Sequence, residues 1–353
     1  MKKRVCFLMA LALLILAAGC SSAEEGNVVN VYNWGEYIDM SVLEDFEAET
    51  GITVNYKTFE SNEQMYSVLK NGGASYDVII PSDYMISRMI EEDMLEKIDF
   101  SNIPNFDILS DQYKNLTYDP TNEYSVPYMW GTLGLIYNSA RIDEEITSWS
   151  ALWDEKYQGN ILMFNNNRDA MGVALKYLGY SLNTTDESQL RQAEELLSAQ
   201  KPLLQKYVMD QIYDLLESGE ALIGPYYAGD YLCMIENNPD LVFVIPEEGS
   251  NWYVDSMCIP KGAEHKENAE AFINFMCRTD ICVRNMYETG YVSPNEEAND
   301  EVKAEYDLSD PDDAYQHSVM FPEAEVLDRC EVYVNLPAAT NKLYSRLWIK
   351  LLS

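Results

Sequence analysis

Residues 76–82 read YDVIIPS, a short, almost unbroken apolar run that ends on proline and serine. Such a run suits a strand covered on both faces of its sheet, because alternation disappears when neither face meets water. Working back from it, ITVNY at 52–56 and NVVNVYNW at 27–34 are β-branched runs of strand length. The two intervals between these runs carry helix signals. In SVLEDFEAETG (41–51), Ser41 and Glu44 have capping-box spacing and Gly51 stands where a C-terminal glycine belongs. In SNEQMYSVLKNGG (61–73), Ser61 and Gln64 repeat the cap pair, and Gly72 and Gly73 stop the helix. The order strand, helix, strand, helix, strand predicts an α/β fold with a parallel sheet and right-handed crossovers.

In a parallel sheet, the loops leaving the carboxyl ends of the strands share one rim, where ligand crevices of open α/β folds form. NWGEY (33–37) leaves the first strand and PSDY (81–84) leaves the third, so two acid-bearing aromatic loops face the same side. A staple of Trp34 and Tyr37 on the following helix accounts for the first loop equally well when that loop is taken alone. Further along, PYYAGDY (225–231) and NWYVDS (251–256) repeat the mixture of rings around single acids. Carboxylates neutralise ammonium groups and ring faces hold cationic heads and methylene stems, so the mixture suits an organic cation.

The bulk numbers agree. The chain has 353 residues, enough for two domains, and carries 24 basic against 59 acidic residues, a formal charge of −35. Nucleic acid and anionic membrane surfaces are repelled by such a chain, and small cations are attracted. At the start, Lys2, Lys3 and Arg4 precede a 14-residue apolar run at 5–18, a secretory leader too short to span a bilayer. LAAGC (16–20) resembles the lipobox of bacterial lipoproteins, which implies cleavage before Cys20 and a lipid on its sulfur. Loss of residues 1–19 removes those three bases and no acid, leaving 21 against 59, or −38. SSAEEGN (21–27) then reads as a tether. Of the five later cysteines, Cys233, Cys258, Cys277, Cys282 and Cys330, none has metal-ligand spacing, and an odd number cannot all pair, so most read as small buried residues with room for one disulfide.

Enzyme signatures are absent. There are two histidines, His265 and His317, and no nucleophile elbow, zinc-binding helix or phosphate loop. A hydrolase working through paired carboxylates is the competing class. The middle of the chain opens on a glycine-containing strand, SVPYMWGTLGLIYN (125–138), and continues through SWSALWDEKYQGNILM (148–163). Residues 221–235 and 241–260 read as strand-to-loop passages, 267–278 as a core helix, 301–315 as an acidic loop and 339–352 as a closing amphipathic helix.

In order along the chain, VYNWGEYID (31–39), FESNEQMYSVLKNGGASYDVIIPSDYMI (59–86), SVPYMWGTLGLIYN, LGYSLNTTD (178–186), VDSMCIP (254–260) and TGYVSPN (289–295) resemble the spermidine/putrescine-binding proteins of bacterial ABC importers, the PotD type. The resemblance covers essentially the whole mature chain. It implies a two-lobed periplasmic-binding-protein-like (type II solute-binding) fold, with a hinge and a ligand cleft between lobes of discontinuous chain. Lobe 1 would take 20–130 and 256–300, and lobe 2 would take 131–255 and 301–353, with crossings near Trp130 and Gly131, near Asp255 and Ser256, and from Asp300. It further implies an exported, lipid-anchored, monomeric receptor without a cofactor or metal, which passes a polyamine to a permease and its ATPase, binds no nucleic acid and catalyses no reaction. A receptor for another cationic amine or an amino acid derivative is the alternative within the class.

Carried across motif by motif, the resemblance implies a pocket of Trp34, Gly35, Glu36, Tyr37, Ser82, Tyr84, Asn166, Asp169, Tyr227, Tyr253, Asp255 and Tyr333. Glu36 would meet one terminal ammonium, and Asp255 and Asp169 an inner or opposite amine. Trp34, Tyr84, Tyr227 and Tyr253 would wall the methylenes. The sequence departs from the family pattern where Gly35 replaces a hydroxyl-bearing side chain, Asn166 an acid, Asp169 a longer Glu, Tyr227 and Tyr253 tryptophans, and Tyr333 a Gln.

Overall fold

The computed structural model describes residues 27–72 and 75–353; the leader, Cys20 and residues 21–26 of the tether lie outside the described residues. In chain order, β1 (Val28–Trp34), α1 (Met40–Thr50), β2 (Thr53–Phe59), α2 (Asn62–Lys70), β3 (Val78–Ile79) and α3 (Asp83–Glu91) come first. After a stretch of short 3-10 turns, β4 (Ser125–Asn138), β5 (Ile161–Phe164), α4 (Asn167–Tyr177), α5 (Glu187–Gln200), β6 (Leu204–Val208), α6 (Ile212–Glu217), β7 (Ile223–Tyr227), α7 (Ala228–Met234) and β8 (Leu241–Val244) follow. The chain closes with β9 (Trp252–Cys258), α8 (Lys266–Met276), α9 (Thr279–Thr289), α10 (Glu296–Ala304), α11 (Pro311–Met320), α12 (Ala324–Leu327) and α13 (Ala338–Leu352).

The opening pattern folds as its sequence predicts: β1 lies between β2 and β3 and is parallel to both. Gly51, at φ 71°, ends α1, and Ser61 caps α2 by accepting from the Gln64 amide at 3.2 Å. The cap of α1 differs from expectation. Asp39, not Ser41, is the extended residue before the first turn, and its carboxylate accepts from the Ser41 amide at 2.8 Å. Two further expectations are corrected. Residues 221–235 are a strand followed by helix α7 rather than by a loop. The acidic stretch 301–315 is mostly the end of α10 and the start of α11, where Asp310 caps the Asp312 and Asp313 amides. Acids crowded at a helix N-terminus are favoured by the exposed amides there, so charge density alone does not make a loop. The five cysteines of the described residues are free thiols, with Cys258, Cys277 and Cys282 buried. Among the described residues no helix is long and apolar enough to cross a membrane.

One nine-stranded sheet runs β2-β1-β3-β9-β4-β7-β5-β6, with β8 also on β4. Its axis is β4, which is buried along all 14 residues. The first half of β4 pairs with β9 and the second half with β7 and β8, all antiparallel. Apolar packing changes sides along the same strand. Val126, Tyr128 and Met129 pack with Phe46 and Phe272, whereas Leu133, Leu135 and Ile136 pack with Trp149 and Phe164. A buried Phe contributes ~1.5–3 kcal/mol relative to an exposed one, so each half has its own driving force. Between the two sets lies Gly131, where a Cβ would meet the Tyr291 ring at 2.8 Å.

Tyr291 reaches that position because α9 stops at Gly290, which is left-handed at φ 71° and lies against the backbone of Gly229 at the start of α7. A Cβ on residue 290 would meet the Gly229 carbonyl oxygen at 2.5 Å, and neither backbone can yield cheaply. Gly290→Ala is therefore expected to cost ~2–3 kcal/mol of stability, read as a lower urea midpoint with an unchanged slope. A midpoint shift equivalent to less than ~0.5 kcal/mol would show that this junction is not tightly seated.

Candidate ligand-binding cleft

Backbone pairing sets most of the site. Ser82 forms an antiparallel bridge with Asp255, and the Ser256 amide donates to the Pro81 carbonyl at 3.1 Å, which seats the end of the third predicted strand against β9. The β4 register places Gly131 opposite Tyr253 and Leu133 opposite Tyr227. Two strands flanking the same short segment thus bring these tyrosines together, with ring centroids 5.5 Å apart. Trp34, at the end of β1, is held by its indole N–H donating to the Ile80 carbonyl at 2.9 Å and by contact with the Phe59 ring at 4.6 Å.

These residues line a cleft with about 650 Å³ free of protein atoms, its mouth included. Ten of the residues predicted from sequence line it: Trp34, Gly35, Tyr37, Ser82, Tyr84, Asp169, Tyr227, Tyr253, Asp255 and Tyr333. Two do not. Glu36 sits at φ 46° with its side chain exposed, turned out of the cleft by the left-handed turn that follows Gly35. Asn166 lies behind the wall as the N-cap of α4; it accepts from the Asp169 amide at 2.8 Å and donates to the Asp169 carboxylate at 2.8 Å. Its role in the structure is to hold Asp169. The sequence reading missed Asn62, Met209, Asp210, Tyr226, Asp230, Asn251 and Tyr291, all of which line the cleft.

The chemistry is uniform. Four carboxylates, from Asp169, Asp210, Asp230 and Asp255, face the cleft, and no lysine or arginine is among its lining residues. Each carboxylate takes a tyrosine hydroxyl. Tyr227 donates to Asp169 at 2.7 Å, Tyr226 to Asp210 at 3.0 Å and Tyr37 to Asp255 at 2.9 Å. Asp230 receives Tyr213 at 2.8 Å and also Tyr291. The second oxygen of Asp255, Oδ1, is buried with no hydrogen-bond partner among the described residues. Burial pushes the Asp255 carboxyl up to about 7; the neighbouring Ser82 and the bond from Tyr37 oppose the shift, and the nearby charge of Asp169 adds to it. Burial likewise pushes Asp230 up to about 7, against the bonds from Tyr291 and Tyr213, and it raises Asp169. Dehydrated carboxylates with spare lone pairs, walled by tyrosine and tryptophan rings, can bind a slender cation by charge, hydrogen bonds and ring faces together. Among the described residues no cluster of His, Cys, Asp and Glu could hold a metal ion. His265 is engaged structurally, its Nδ1 lying 3.1 Å from the buried Asp77 carboxylate.

A sheet shared by two separately packed halves, with a carboxylate-lined cleft between them, is the architecture of a solute receptor. Over residues 41–311 the chain matches the family described as bacterial extracellular solute-binding protein. It is 34% identical over 353 residues to the spermidine/putrescine-binding periplasmic protein of Escherichia coli, covering 99% of each chain. Among solved structures, a putative spermidine/putrescine ABC transporter from Listeria monocytogenes superposes with a TM-score of 0.85 at 38% identity, over 92% of this chain and 99% of that one. The TpPotD lipoprotein of Treponema pallidum superposes with a TM-score of 0.78 at 30% identity, over 92% and 99%. The chain belongs to the bacterial extracellular solute-binding proteins and, within them, to the PotD-type group, with the two-lobed fold of that group.

The raised carboxyls have a measurable consequence. Carboxyl groups in the unfolded chain titrate near 4, whereas Asp255 and Asp230 titrate at about 7 in the folded chain. Between those values the folded chain binds more protons, so stability falls as pH rises from about 4 to about 7 and then levels off. Each group contributes up to ~1.4 kcal/mol per pH unit within that window. In amine-free buffer the melting temperature is expected to be higher at pH 5.5 than at pH 8, and an Asp230→Asn, Asp255→Asn double variant is expected to lose most of that difference. Calorimetric melts showing identical slopes in variant and wild type would mean that these carboxyls titrate elsewhere.

Proposed function

We propose that the protein is the exported receptor of an ABC importer, which captures a polyamine between its lobes and delivers it to a membrane permease coupled to an ATPase, itself performing no reaction. The observation that carries this reading is the convergence of Asp169, Asp210, Asp230 and Asp255 with Trp34 and seven tyrosines on one cleft that has no basic lining residue. Polyamines are thin, flexible and multiply protonated at neutral pH, which matches alternating carboxylates and ring faces. The names of the relatives at 34% and 38% identity point the same way. In this reading Asp255 meets an inner ammonium, Asp169 another amine, and Trp34, Tyr84, Tyr227 and Tyr253 flank the methylenes, with Ser82, Tyr37 and Tyr333 completing the walls.

We divide the chain at three crossings. In this reading lobe 1 takes 20–130 and 256–300 and lobe 2 takes 131–255 and 301–353, except that the packing of α10 on α9 and of α11 on α7 favours moving the third crossing from 300 to the segment between α10 and α11. Ligand exchange then requires a hinge at these crossings. The leader and the lipobox-like LAAGC support anchoring at Cys20 on the outer face of the cell membrane. A similar protein from Treponema pallidum carries the word lipoprotein in its name.

Calorimetric titration with spermidine, putrescine and spermine tests the ligand. Heat of binding is expected with at least one of them, and its absence with all three at low-millimolar concentration rules the reading out. Asp255→Asn should weaken binding by ~2–5 kcal/mol, because the ammonium it meets is left without its countercharge beside a buried side chain. A loss of less than tenfold would put the ligand elsewhere. For the anchor, Cys20→Ala is expected to move the expressed protein from the membrane fraction to the soluble exported fraction; retention in the membrane fraction would refute lipidation at this residue.

A further inference from the structure

We propose that Asp210 and Asp230 form a second cation subsite, distinct from the one at Asp169 and Asp255, and that it makes the cleft select polyamines of three or more amines over diamines. The proposal rests on the polyamine reading above. Asp230, in the first turn of α7, is 7% exposed, and both its oxygens are occupied from one side by tyrosine hydroxyls, from Tyr213 at 2.8 Å and from Tyr291. Asp210 follows β6 and accepts from Tyr226 through Oδ1 alone, at 3.0 Å. Its other oxygen, Oδ2, lies where a Cβ on residue 35 would be only 2.4 Å away. The missing side chain at Gly35 is therefore what lets this carboxylate reach across the cleft to the loop that carries Trp34.

The carboxylates are held by different tyrosines: Asp210 by Tyr226 and Asp230 by Tyr213 and Tyr291, against Asp169 by Tyr227 and Asp255 by Tyr37. A diamine brings two ammonium groups to a cleft with four carboxylates, whereas a triamine or tetramine has a further ammonium to place against Asp210 and Asp230. A carboxylate left without an ammonium partner in the closed cleft opposes closure, so the difference between ligands should be large.

Calorimetric titrations of wild type, Asp210→Asn and Asp230→Asn with putrescine, spermidine and spermine decide the matter, with thermal melts of each variant as a folding control. Wild type is expected to bind spermidine or spermine at least tenfold tighter than putrescine. Each variant should lose at least tenfold more affinity for spermidine than for putrescine. Gly35→Ser, which forces a side chain against Asp210 Oδ2, should give the same ligand-selective loss and stands in if Asp230→Asn fails to fold. Equal losses for diamine and triamine, no loss for either, or a wild type that prefers putrescine would overturn the second subsite while leaving a polyamine receptor in place. A wild type that binds none of the three amines overturns both readings, a distinguishable outcome.

Discussion

The constraint on which this structure turns is the concentration of four carboxylates in one cleft that has no basic side chain on its walls. Removing an ion from water costs several kcal/mol unless hydrogen bonds and countercharge replace its hydration. The protein supplies the hydrogen bonds from tyrosine. A tyrosine hydroxyl donates without bringing charge, so it stabilises a carboxylate while leaving the site's net charge intact. That choice explains why rings and acids occur together along the chain. The ring occupies the wall, its hydroxyl reaches the acid, and the face remains available to a cation. An arginine in the same place would satisfy the carboxylate fully and abolish its use.

The backbone delivers these groups from both halves of the chain. Trp34 and Ser82 come from the carboxyl ends of β1 and β3, Asp255 from β9, and Asp169, Asp210, Tyr227 and Asp230 from elements after Gly131. The glycines around Tyr291 are part of the same design. Gly131, Gly229 and Gly290 give up their side chains, or their right-handed conformation, so that one ring can sit at the junction and its hydroxyl can meet Asp230. Its edge also contacts Tyr37 at 4.8 Å, and Tyr37 holds Asp255, so hydroxyl and ring contacts connect the Asp230 and Asp255 carboxylates. The cleft is consequently a property of the two lobes together.

The sequence disclosed the elements better than their ends. Strand and helix alternation over 27–82 predicts the parallel start because both signals, apolar period and glycine or serine punctuation, are local. The cap of α1 was misread because Asp39 and Ser41 are both good caps, and only backbone direction separates them. The site divides in the same way. Asp230, Tyr226, Asn251 and Tyr291 lie inside segments that the aromatic and acidic pattern or the family resemblance singles out, PYYAGDY, NWYVDS and TGYVSPN, without being assigned a role there. Asp210 stands in KYVMDQIY with no such neighbourhood, and its place against Gly35 is a tertiary fact that no spacing reveals. Glu36 is the converse case, an acid in an ideal motif that a left-handed φ of 46° turns toward solvent.

The departures from the family pattern are best understood as linked rather than as separate losses. A side chain at residue 35 and the carboxylate of Asp210 compete for one volume, so a glycine there and an acid reaching in from β6 are two halves of one arrangement. The Asn166 and Asp169 pair works likewise. A second acid at 166 would crowd a carboxylate already lifted by burial, whereas the amide gives Asp169 both a donor and a helix cap. In this cleft Glu36 points to solvent and residue 166 is an amide, while Asp210 and Asp230 line the walls. Which acids face the slot is therefore set by tertiary placement, and the placement of carboxylates, more than their total charge, is what can match the spacing of charges on a ligand.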